Sequence, residues 1–116
     1  MSFIEIYETK KLITATYEEF MFLKIKLQII NKRFENFGLE HSLESRIKAI
    51  DNLSQTYNIT QSEAKLIIFE IIIEHYDILQ KIIELKIAII PVLEQLKELS
   101  IEEYHSMYEL VEPYIK

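Results

Sequence analysis

TQSEAKLIIFEIIIEHYDILQKIIELKIAIIPVLEQLKEL, residues 60–99, is the stretch that decides the fold. Ala64, Ile68, Ile71, His75, Ile78, Ile82, Leu85, Ile89, Val92, Leu96 and Leu99 follow one another in steps of three and four, the spacing of one face of a helix. Thr60 followed by Glu63 has the spacing of a capping box, in which a hydroxyl and a carboxylate satisfy the first free amides. At 100° per residue, Glu63, Glu70, Glu74, Asp77 and Glu84 gather with Lys81 in one narrow sector. Ile67, Phe69, Ile72, Leu79, Ile83 and Ile87 fill much of the remaining circumference. A helix apolar over so much of its perimeter is expected to lie centrally, with the acidic stripe as its outlet to solvent or to a basic partner. Pro91 lacks the amide that would bond the Ile87 carbonyl, which predicts a kink or a tight restart after Ile90.

Upstream, no Gly or Pro occurs before Gly38, and Ser2 followed by Glu5 repeats the capping-box spacing. A first long helix is expected over about residues 3–37, with a core stripe of Ile6, Thr9, Ile13, Thr16, Phe20, Leu23, Leu27, Ile30, Phe34 and Phe37. A second stripe, Ile4, Tyr7, Phe22, Ile25 and Ile29, predicts that this helix buries two faces. Gly38 reads as a left-handed C-cap. Ser42 caps a short second helix whose Leu43, Ile47, Ile50, Leu53 and Tyr57 share one face, and Asn58 ends it. Ser100 and Glu103 open a last helix, with Ile101, Tyr104, Tyr108 and Val111 expected inside and Pro113 expected to stop it.

The expected architecture is all-α: a single domain over residues 1–116, a small helical bundle. Two long antiparallel helices, about 3–37 and 61–90, are joined by two or three shorter ones. One Gly and two Pro leave too few turn residues for an all-β or α/β chain. There is no Cys, which removes disulfides, thiolate metal sites and cysteine nucleophiles. Charged residues recur too often along the Ile-rich helix for a lipid-facing span, and Glu5, Glu8, Lys10 and Lys11 break up any apolar signal segment. A cytoplasmic protein with no membrane association is expected.

The chain has 13 basic and 19 acidic residues, a net charge of −6, and the acid is concentrated after Asp51. That half disfavours phosphate and suits a basic protein surface. No phosphate loop, Gly-x-Ser-x-Gly or other nucleophile motif occurs, so no catalytic residue, cofactor or enzyme activity is expected. Glu102 and His105 have the Glu-x-x-His spacing of helical di-iron sites, but no second copy of the motif exists, so no metal is expected.

The expected function is non-enzymatic protein–protein interaction by a homodimer, as in a small acidic inhibitor, antitoxin, immunity protein or adaptor from a bacterium or mobile element. Homodimerisation follows from more apolar perimeter than so short a chain can cover. Partner contacts are expected at Glu63, Glu70, Glu74, Asp77 and Glu84, and at Met107 and Tyr114 of the aromatic C-terminal end. His75, one polar group on an apolar seam, is expected to act as an interface switch.

A second reading starts from Ile47 and Leu53, the Tyr57 to Glu63 turn, and Ile67, Ile68 and Ile71. Together, residues 43–76 resemble the two-helix part of ribbon-helix-helix regulators, which implies DNA binding by that segment or by a helix-turn-helix. The departures are an acidic second helix and the absence of an alternating basic strand in residues 36–41.

Overall fold

The computed structural model describes residues 2–116, the side chain of Ser2 excepted; the cap expected of Ser2 falls on that side chain and lies outside the described residues. The fold is all-α, a small bundle of four helices and no strands among the described residues. These are α1 (Ser2–Asn36), α2 (Leu43–Tyr57), α3 (Gln61–Leu99) and α4 (Ile101–Ile115). No helix among them is long and apolar enough to cross a membrane. By packing, the chain divides into two compact units, one of residues 1–24 and 80–116, the other of residues 25–79.

In the first unit, α1 and α3 meet α4 around Ile13, Phe20, Ile89, Leu93, Leu96, Met107 and Val111. Phe20 stacks on Tyr114 at 5.5 Å between ring centroids, and Tyr17 meets the same ring edge-on at 5.8 Å. Lys10 of α1 and Glu103 of α4 form an ion pair at 2.8 Å. The Ser100 hydroxyl accepts the Glu103 amide at 3.3 Å. The hydroxyl half of that capping box is therefore formed, while the carboxylate is engaged by Lys10. Thr9 is buried on the α1 stripe because its hydroxyl donates to the Glu5 carbonyl at 2.7 Å, leaving a methyl to the core.

In the second unit, Ile30, Leu39, Ala49, Leu53, Ala64, Ile68, Ile71 and Ile78 are buried. The α1 to α2 turn is set by Gly38 at φ +65. The Leu39 amide bonds the Phe34 carbonyl at 2.8 Å and the Gly38 amide bonds Glu35 at 3.1 Å, the paired bonds of a Schellman cap. Nothing lies within 4 Å of where a Gly38 side chain would sit, so Gly38→Ala tests the backbone alone. Its expected cost is about 1 kcal/mol, read as a shift of the urea midpoint with unchanged slope. Asn58, at φ 53, closes α2 with its own amide and that of Ile59 both donating to the Ser54 carbonyl, the latter at 3.1 Å. Thr60 opens α3, its hydroxyl accepting the Glu63 amide at 3.1 Å.

Four expectations are corrected. First, α3 does not restart at Pro91 but runs on to Leu99, and α4 runs through Pro113 to Ile115. Each proline removes one amide donor, while Ile89, Leu93 and Leu96 pack on both sides of Pro91 and hold the chain helical. Second, α2 turns Ser45, Ala49 and Leu53 inward rather than its larger apolar face. Leu43, Ile47 and Tyr57 are exposed. Small residues let α2 approach closely, and the Ser45 hydroxyl is satisfied by the Glu40 and Ser42 carbonyls and the Glu40 amide. Third, Met107 replaces Ile101 on the inner face of α4. Fourth, neither long helix buries a second face. Ile4, Tyr7, Phe22, Ile25 and Ile29 on α1 remain more than half exposed, and much of the α3 circumference is uncovered.

Candidate functional site

The acidic stripe stands where the helix period puts it. Glu63, Glu70, Glu74, Asp77 and Glu84 are all exposed on α3. Glu74 is shared with its own chain, accepting from the Arg33 guanidinium at 3.4 Å. Glu70, Asp77 and Glu84 have no ion-pair partner among the described residues, so their charge is free for another molecule. The C-terminal candidates differ. Met107 is 7% exposed inside the first core and cannot meet a partner. The half-buried Tyr114 is clasped by Tyr17 and Phe20, with the Lys24 ammonium 5.5 Å from its ring. Met107 is corrected to a core residue because α4 turns its 107–111 edge inward, while Tyr114 packs against that core and stays half-buried.

His75 is half-buried in the second unit. Its ring lies 4.7 Å from that of Phe34 and 5.9 Å from that of His41. The two imidazoles, Glu40, Arg46 and Tyr76 border a cavity of about 260 Å³ floored by Phe34, Ile72 and Leu79. The Arg46 Nε is buried without a hydrogen-bond partner. Desolvation first, and the neighbouring His41 second, push the His75 pKa below its ordinary 6.5. His75 stands out in the sequence as a polar interruption, but nothing local links it to His41, 34 positions away.

The sign of the pH effect follows. A histidine harder to protonate when folded gives the unfolded chain more protons as pH falls, so its contribution is complete above about 6.5. That contribution is lost on acidification, between the ordinary value and the lower folded one. His75→Leu should therefore flatten the slope of stability against pH between about 5 and 7 and raise stability at the acid end. Urea titrations at several pH values check it, and an unchanged slope would remove His75 as the titrating group.

No group of three or more His, Asp or Glu side chains gathers at metal-binding distance among the described residues. His105 instead lies beside the Tyr104 ring at 5.5 Å. Ahead of α2 the chain forms a capped turn and not a strand, so the ribbon of a ribbon-helix-helix protein is missing among the described residues.

What the sequence did not separate is the set of apolar residues left uncovered. On α3, Leu66, Phe69, Ile73, Tyr76, Ile83, Ile87 and Ile90 are between 40% and 66% exposed. Helical spacing identified an apolar circumference but not which part of it the other helices would leave bare. Comparison with known families, curated proteins and solved structures finds no match to this chain.

Proposed function

We propose that this chain is a non-enzymatic protein–protein interaction module. It is read as a small acidic inhibitor, antitoxin, immunity or adaptor protein that works as a homodimer and binds a partner with a basic surface. One observation carries the reading: α3 presents a long exposed apolar face edged by unpaired carboxylates. Exposed apolar patches of this extent are costly in water and mark surfaces that meet another protein. The carboxylates at the edge supply charge selection, speeding encounter with a basic surface and repelling an acidic one.

The test is capture from an extract of the native host with the wild-type chain and with a Glu70→Lys, Asp77→Lys variant. A partner held by the wild type, weakened by salt and lost on charge reversal, supports the reading. Equal retention by both chains would overturn the role of the stripe. A helix-turn-helix function keeps one supporting feature, the order α2, three-residue turn, α3. Binding to random duplex DNA that weakens steeply with salt would favour it over the protein partner.

A further inference from the structure

Resting on the homodimer reading, we infer that residues 66–90 of α3 form a parallel, in-register coiled-coil seam with α3 of a second copy. The exposed residues are not scattered. Seven of the nine exposed large apolar residues of α3 fall, with Gln80, at 66, 69, 73, 76, 80, 83, 87 and 90, alternating steps of three and four; Leu79 flanks this stripe and Ile67 lies off it. This is a second heptad on the same helix, lying on the face opposite the one that Ile68, Ile71, Ile78 and Ile89 bury inside their own chain. The a positions are Leu66, Ile73, Gln80 and Ile87. The d positions are Phe69, Tyr76, Ile83 and Ile90. A helix that needed only its internal packing would carry polar residues at all eight places, and here only Gln80 is polar.

The flanking positions choose the direction. Following each d residue, the e positions hold Glu70, Asp77, Glu84 and Pro91; preceding each a residue, the g positions hold Lys65, Ile72, Leu79 and Lys86. An antiparallel pair would set e against e, carboxylate against carboxylate, and a parallel pair sets g against e. Parallel pairing brings Lys65 to Glu70 of the second copy and leaves Asp77 and Glu84 beside apolar side chains with no like charge opposite. Gln80 then meets Gln80 of the second copy at an a layer, where two amides can hydrogen-bond each other. One polar layer in an apolar seam fixes register at some cost in stability.

The area agrees. The chain exposes 8246 Å², and a monomer of 13.9 kDa is expected to expose about 6,700 Å², an excess of roughly 1,500 Å² per chain. A standard interface covers about 800 Å² per partner and an obligate homodimer more. That excess is shared with exposed apolar residues of α1 and α2, and it is large enough to contain one standard interface on α3.

The chain lacks Cys, so cross-linking gives a direct test. Leu66→Cys and Ile90→Cys are made separately, at exposed positions, with helicity checked by circular dichroism. In a parallel, in-register pair each cysteine faces its own copy within the Cα separation of about 4.4–6.8 Å that a disulfide tolerates. Each variant alone should then oxidise mostly to a disulfide-linked dimer. If cross-linking occurs only when the two variants are mixed, the pair is antiparallel and the inference is overturned. If no combination cross-links while the wild type still has the mass of two chains, the seam is wrong and the homodimer reading survives. If the wild type is a monomer, both fail. A mass of three chains would overturn the two-stranded geometry.

Discussion

Phe20→Ala is expected to destabilise the chain by about 3–5 kcal/mol, the usual cost of emptying a fully buried aromatic site. Phe20 is 1% exposed, and its ring stacks on Tyr114, so the substitution removes both a core side chain and one wall of the Tyr114 clasp. A domain of this size is stable by only about 5–15 kcal/mol, which makes the loss a large share of the total. Thermal and urea unfolding should both show it, with a fall in melting temperature on the order of 12–20 °C. Ile25→Ala, on the exposed side of the same helix, should change intrinsic stability by less than about 1 kcal/mol. Similar losses at both sites would mean that α1 does not distinguish an inner face from an outer one.

The second large effect concerns assembly. Ile73→Glu combined with Ile87→Glu puts two carboxylates into the exposed heptad of α3 without touching the buried residues of either unit. The double variant should weaken self-association at least about thirtyfold, as expected for central interface positions. The melting temperature of the wild type should rise with chain concentration, because a dimer is stabilised by mass action, and that of the variant should not. The substitutions add acid to an already acidic helix, so salt should relieve part of the effect but not restore the wild-type affinity. A variant as concentration-dependent as the wild type would place the interface elsewhere on the surface.

The sequence told most about what depends on local period. All ten residues assigned to the α1 stripe are buried or half-buried, including Thr9 and Thr16, because a seam requires only the helical repeat. The caps at Ser42, Thr60 and Ser100 were readable for the same reason, as were Gly38 and Asn58, each set by chemistry within a few residues. Where size and packing compete, the reading failed. The α2 helix was oriented by its large apolar residues, while close approach selected Ser45 and Ala49. At Pro91 the lost hydrogen bond is visible in sequence and the tertiary packing that offsets it is not, so the unbroken helix to Leu99 is not legible there.

The candidate site divides in the same manner. Five carboxylates on one helix sector follow from angle alone, and all five are exposed. Their pairing does not follow: Arg33 reaches Glu74 across 41 positions of sequence, and His41 reaches His75 across 34. The exposed heptad was hidden for a different reason. An apolar circumference contains several three-four stripes at once, and only the placement of the neighbouring helices shows which one they leave free. Met107 illustrates the converse, since an adaptable side chain suits a core as well as an interface, and here the core took it.

The homodimer is tested most directly by sedimentation equilibrium of the wild-type chain from low to high micromolar concentration. The exposed α3 seam predicts a mass tending to twice 13.9 kDa as concentration rises. A constant 13.9 kDa across the whole range would contradict it and leave the apolar face of α3 to a different protein.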